Sequence, residues 1–301
     1  MQLVECKMKK LVTYSLAFLA SLTLSSTVYA GVSNYDASSD GAMPACANGA
    51  VPAGTNLLSD AVCRTTPTVF KVTIYEMGLC TAHPFANGTG VTMDKSTCSV
   101  VFSNTAGSTA DIASSIGGED ALEGDSFPPP EGTFKYPYAI MGTSFTVNTK
   151  VKGEVGTAFA TKTYATAADG SYTDVTAGGN GVDFASPLSN FGIGKCFSGY
   201  INGSTGVGTI DGYLTNTALV RRDDADYNAG NDICTGQTRL VGVFDLSNPF
   251  TITPITRMVK FNFVLTDYGV QVEVNNSGEA NSGKVKMISS APFSAYFEAV
   301  E

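Results

Sequence analysis

Tryptophan is absent from this 301-residue chain, and histidine occurs once, at His83. A single imidazole excludes multi-histidine metal centres and leaves few routes to a Ser-His-Asp arrangement. Charge is scarce as well: 15% of residues are charged, against ~25% in ordinary soluble domains. Basic residues are the rarer sign, 18 against 27 acidic, for a formal net charge of −9. Nucleic-acid binding needs clustered excess cation, so no nucleic-acid partner is expected. No serine sits in a G-x-S-x-G elbow, the strand-to-helix turn that exposes a hydrolase nucleophile. Gly178-Gly179-Asn180-Gly181 lacks the lysine and the following helix of a phosphate loop. No repeat of fixed length emerges, which counts against a propeller or a regular solenoid.

Long apolar runs are missing too. The longest, residues 11–24, falls short of the ~20 residues needed to span a bilayer as a helix. It follows Met8-Lys9-Lys10 and precedes Val28-Tyr29-Ala30, which places small or compact residues before Gly31. Positive start, short apolar centre and small-residue exit make up a Sec signal peptide. The expectation is a signal helix over residues 1–30, cleaved after Ala30, with no transmembrane anchor. Cleavage removes Lys7, Lys9, Lys10 and Glu5, leaving 15 basic and 26 acidic residues, a net charge of −11. The expected product is acidic and exported by Sec, to periplasm, cell surface or medium.

Cysteine usage agrees with export. Cys6 leaves with the leader, and Cys46, Cys63, Cys80, Cys98, Cys196 and Cys234 remain. An even set in an exported chain reads as disulfides, and no C-x-x-C spacing supports a metal or redox role. Six cysteines allow 15 connectivities. Sequential pairing closes the smallest loops, each rich in Gly, Thr or Asn, and is the favoured scheme: Cys46–Cys63, Cys80–Cys98 and Cys196–Cys234.

The body reads as strands. Residues 69–75 are dense in β-branched and aromatic side chains, and residues 99–103 are placed to pair with them. In residues 145–151, Phe145, Val147, Thr149 and Val151 alternate with Thr146, Asn148 and Lys150, the period of a half-buried strand. Asp169-Gly170 predicts a hairpin turn between two flanking strands. Toward the C-terminus, residues 240–246, 259–265, 270–274 and 285–299 alternate cleanly and predict an antiparallel meander. Within it Phe261, Phe263 and Leu265 are assigned to the core, Lys260 and Asn262 to the opposite face. Helical periodicity is weak; residues 109–122 are the best candidate and contain Gly117-Gly118. The expected fold is all-β, an antiparallel, loop-rich, disulfide-stabilised β-sandwich. Its expected parts are a leader (1–30), an irregular disulfide-tied arm (31–67) and a β-rich domain (68–301), any internal division falling near residues 117–132.

Candidate chemistry is thin. His83 stands in a presumed disulfide loop with no motif supplying a nucleophile or carboxylate, so a surface role is expected. Asp224, Asp226, Asn228 and Asp232 supply the hard oxygen ligands that Ca²⁺ prefers. Counted from Asp224, however, Gly230 falls one place late for a calcium loop, and position twelve is Thr235 instead of glutamate. The competing reading is an acidic loop closed by Cys196–Cys234. No other cofactor is expected. The acids between Glu119 and Glu131 flank Pro128-Pro129-Pro130, an exposed extended segment ill suited to hold a catalytic carboxylate pair. Tyr136, Tyr138, Tyr172, Tyr200 and Tyr213 are candidates for stacking on a glycan. Export, disulfides, strands and the lack of a catalytic signature together predict a noncatalytic structural protein. A subunit of a bacterial cell-surface layer or extracellular filament is the first reading, self-assembling through sheet edges at residues 69–75 or 294–300. A secreted soluble module binding a glycan or small ligand is the alternative.

Overall fold

The computed structural model describes residues 7–10, 61–85, 90–114, 119–155, 160–166, 172–174, 182–191, 195–201, 208–231, 233–266, 268–274, 285–290 and 293–300. Among these the fold is all-β; the one helical element is a 3₁₀ turn, Asp224–Asp226. Residues 109–122 are not a helix. The strand Cys98–Asp111 runs into their start, and Glu119–Ala121 is extended. With β-branched and small residues before Gly117-Gly118, nothing offsets the poor helix propensity there. No helix among the described residues is long and apolar enough to cross a membrane.

The largest sheet has nine strands, and its longest path runs Phe184–Pro187, Ser144–Asn148, Val69–Cys80, Tyr136–Gly142, Arg239–Leu246, Gly208–Thr215, Phe197–Ile201. All its pairings are antiparallel. Val69–Cys80 is its spine. One side pairs with Cys98–Asp111, but residues 99–103 lie opposite 76–79, and it is residues 108–111 that pair with 71–74; the other side pairs first with Ser144–Asn148, then with Tyr136–Gly142. That overturns residues 69–75 as an assembly edge, because both sides of this strand are taken. Its apolar period also shifts partway. Phe70, Val72 and Ile74 face the main core, and so do Met77 and Leu79. Between Ile74 and Glu76 the ladder to Tyr136–Gly142 slips by one residue and the ladder to Cys98–Asp111 by three. The bulge inverts the alternation so that both halves of the strand bury their apolar residues on the same side.

A second group of strands supplies the rest of that core. Met258–Val264 pairs antiparallel with Ser294–Val300, and Val270–Val274 pairs with Val285–Ser290 and with Ala61–Thr65. The predicted meander is therefore replaced by a nested arrangement. The chain leaves Met258–Val264, makes a hairpin in another sheet, and returns to pair with the strand it left. Arg239–Leu246 belongs to the nine-stranded sheet. Aromatic contacts join the two groups: Phe244 meets Phe261 and Phe297 edge-on at 5.8 and 5.1 Å, and Phe70 and Phe145 meet Phe293 at 5.8 and 6.0 Å.

Phe261, Phe263 and Leu265 point into this core as expected. Lys260 and Asn262 do not form a solvent face, since both are buried as well. The strand is covered on both sides, so alternation of polar with apolar residues does not mark exposure here. Arg239–Leu246 is also two-sided: Leu240, Phe244 and Leu246 enter the main core, Val241 and Val243 a second, smaller one. Gly208 lets that sheet close tightly. Its φ is +146°, and a Cβ there would stand 2.1 Å from the Asp245 carbonyl oxygen.

Two of the expected disulfides are present, Cys80–Cys98 and Cys196–Cys234. The third expected pair lies outside the described residues, because Cys46 does. The hairpin around Asp169-Gly170 has its flanking strands, Ala160–Thr166 and Tyr172–Asp174, paired antiparallel; the turn lies outside the described residues. The expected irregular arm ends in a strand, Ala61–Thr65. Of the expected signal helix only Lys7–Lys10 is described, and it is extended. It runs parallel to Met258–Val264 and antiparallel to Glu119–Ala121.

Candidate functional site

Polar side chains concentrate over the second, smaller core, on the face of the large sheet turned away from the main one. Strand periodicity puts them there. Tyr136 and Tyr138 share a face of Tyr136–Gly142, and Asp211 and Tyr213 share a face of Gly208–Thr215. The Cys80–Cys98 bridge closes a loop that lays His83, Phe85 and Met93 onto this surface. Phe85 stacks on Tyr213 at 4.3 Å, and His83 meets Tyr136 and Tyr213 edge-on at 5.4 and 6.0 Å. His83 Nε2 lies 3.4 Å from the Tyr213 hydroxyl and 3.7 Å from an Asp211 carboxylate oxygen. Its Nδ1 lies 2.9 Å from the Phe85 carbonyl oxygen and 3.1 Å from the Phe85 backbone nitrogen.

A second loop locks onto the first. Arg221 Nε and Nη2 donate to Asp223 Oδ1 at 3.0 and 2.8 Å, and both residues are buried. The Gly90 amide donates to the other Asp223 oxygen. Backbone bonds from Met93 to Leu219 and from Arg221 to Val91 complete the seam. Alongside, the buried Tyr138 hydroxyl donates to Glu76 at 2.6 Å, and Lys95 donates to the same carboxylate at 2.9 and 3.0 Å. Burial, and then the Glu76 charge, push the Tyr138 phenol far above its ordinary value. Burial and Asp211 do the same for Tyr213, against a smaller opposing effect of Arg221.

This arrangement holds two loops onto the sheet. The described contacts of His83 are Phe85, Asp211, Tyr213 and the Tyr136 ring. Tyr213 is driven toward its neutral form, and the nearby Cys80 and Cys98 are bonded to each other. Three of these neighbours come from strands distant in sequence, so no local motif could have joined them to His83. Burial of Tyr138 and Tyr213 removes both as stacking platforms. Tyr136 is half-buried, and the side chains of Tyr172 and Tyr200 lie outside the described residues.

The candidate calcium ligands sit beside the other disulfide, and their oxygens have nearer uses. Asp224 accepts from the Cys196 amide and from Lys195, both at 3.1 Å. Asp226 accepts from the Asp223 amide at 2.9 Å, and Asn228 from the Gly230 amide at 3.0 Å. Asp232 lies outside the described residues. Among the described residues no group of three or more His, Cys, Asp or Glu side chains is placed to hold a metal ion. The acidic, proline-bearing segment is exposed at Glu123, Asp125, Phe127 and Glu131.

The remaining feature is an edge. Ser294–Val300 ends its sheet, and among the described residues its ladder partner is Met258–Val264 alone. Ala295 and Phe297 point into the core while Glu298 is exposed. Scans against family models, curated proteins and solved structures find no match to this chain.

Proposed function

We propose that the chain is an exported, noncatalytic structural protein, a subunit of a bacterial cell-surface layer or extracellular filament, processed after Ala30. The observation that carries the reading is the side of Ser294–Val300 that has no ladder partner among the described residues. Such an edge presents unpaired N–H and C=O groups and templates addition of another strand. The two aromatic-joined layers are read as a β-sandwich, a rigid body from which edges project. The disulfides fit a compartment outside the reducing cytosol. The glycan-binding alternative has less support, because two of its five tyrosines are buried. Electron microscopy of the processed protein at physiological salt tests the proposal: ordered fibres or sheets support it. Dispersed particles across concentrations that span its abundance on the cell contradict it.

A further inference from the structure

Ser294–Val300 pairs with Met258–Val264 in unbroken register over its seven residues, and among the described residues nothing pairs with its other side. Phe250–Ile252 comes close to it but takes Gly132–Phe134 as its ladder partner. The devices that blunt a sheet edge are missing from this strand. It has no lysine, no proline and no bulge, and its single charge is Glu298. A strand added here must also match its two faces. Ala295 and Phe297 enter the main core and Ala299 packs against it, while Tyr296 is half-buried and Glu298 exposed on the opposite face.

We propose that this edge takes the same edge of a second copy, antiparallel about a two-fold axis at Phe297. The inference deepens the self-assembly reading above and rests on it for the use of this strand. A two-fold axis between antiparallel strands sets one residue opposite its own copy and keeps each face of the sheet on its own side. Centred on Phe297, the pairing uses the whole strand. Phe297 meets Phe297 of the second copy and Ala295 meets Ala299, so the apolar faces of both copies join. On the other face each Tyr296 stands opposite Glu298 of the other copy, a phenol donor against a carboxylate, at two symmetric places. Other centres lose this match. An axis at Glu298 would oppose two like charges, which is destabilising, and an axis at Tyr296 would set each Glu298 against Ser294. The run Ala295-Tyr296-Phe297-Glu298-Ala299 is thus complementary to itself, which favours a second copy over any other strand. A contact of this kind closes on itself. It makes a pair, and growth of a layer or fibre then needs a different contact.

The test follows the exported chain by multi-angle light scattering through a dilution series, with amide exchange read at residues 294–300. The expected result is a dimer that falls to monomer on dilution, with exchange at 294–300 slowed in the dimer. Across a two-fold axis one substitution acts at both pairs. Tyr296→Glu sets glutamate against Glu298 at each and should raise the dimer dissociation constant by roughly tenfold. Tyr296→Lys makes both pairs opposite in charge and should leave that constant within about threefold. Should Tyr296→Glu melt below Tyr296→Lys, Glu298→Ala, at an exposed position, replaces it. That variant loses both pairs and should weaken the dimer roughly threefold; no weakening would overturn the register. Slowed exchange with equal effects of glutamate and lysine at 296 would overturn the two-fold register and leave strand addition at this edge standing. Fibres growing directly from monomer would overturn the pair and leave self-assembly standing. Association with unchanged exchange at 294–300 would overturn this edge as the contact. Monomer at every concentration would overturn both this inference and the self-assembly reading.

Discussion

Phe263 is fully buried, 4.4 Å from the Phe261 ring and 5.2 Å from Phe293. Removing its ring costs transfer energy and leaves a cavity between two layers that cannot both collapse. Phe263→Ala should therefore destabilise by about 3–5 kcal/mol in urea unfolding. Its neighbour Asn262 is equally buried, but its one described side-chain bond is a long one, 3.5 Å to Glu298. Asn262→Leu removes a poorly satisfied amide at nearly constant volume and should change stability by less than about 1 kcal/mol, in either direction. A larger loss in the leucine variant than in the alanine one would reverse the roles assigned to these two side chains. Tyr138 and Tyr213 carry a pH dependence. The fold holds both phenols neutral above their ordinary pKa of about 10, while the unfolded chain releases their protons there. Their contribution is thus complete below pH 10 and is lost as pH rises beyond it. Each should lower stability by about 1.4 kcal/mol per pH unit in that window. Urea unfolding between pH 9 and 11 should show the slope, and Tyr138→Phe should make it shallower. An unchanged slope in that variant would place the titrating groups elsewhere.

At the scale of elements, the two described disulfides do different jobs. Cys80–Cys98 pins the loop bearing His83 and Phe85 over the second core, and Cys196–Cys234 ties Lys195 and its neighbours to the 224–228 turn. They enclose separations of 18 and 38 residues. Chain-entropy arguments assign loops of that size about 3–4 kcal/mol each. Replacing either pair by alanines should lower the melting temperature measurably by calorimetry, with the larger fall for Cys196/Cys234. No shift for either would show that the loops are held by the Arg221–Asp223 seam and the 3₁₀ turn without their bridges.

The elements also show what was legible in the sequence. Residues 69–75 and 145–151 announced themselves because β-branched and aromatic residues there recur, although the second run is divided at Thr149 between Ser144–Asn148 and Lys150–Val155, which lie in different sheets. Two of the three sequential disulfides, Cys80–Cys98 and Cys196–Cys234, were legible because their loops are small. Partner choice was not. Alternation says that residues 258–264 form a strand, but it cannot say that 294–300, rather than 270–274, lies beside it. Lys260 and Asn262 misled for a related reason, since period two marks two faces without stating that one meets water. The cluster around His83 was illegible altogether, because Asp211, Tyr136 and Arg221 reach it only through sheet order.

For the whole molecule, low charge and an acidic balance set the terms of association. With the proposed processing the net charge is −11, which opposes association at low ionic strength, and screening shortens that repulsion to about 8 Å in physiological salt. On the proposed self-assembly reading, contacts made by backbone edges then decide whether subunits join. Exposed large apolar side chains among the described residues are Phe127, Val182 and Ile255, too few and too scattered for a hydrophobic interface. The most direct measurement is negative-stain electron microscopy of the processed protein at physiological salt, beside sections of the cells that export it. Fibres or a layer of one repeat are expected in both. Monomeric particles in the purified sample, with no corresponding structure on the cells, would contradict it.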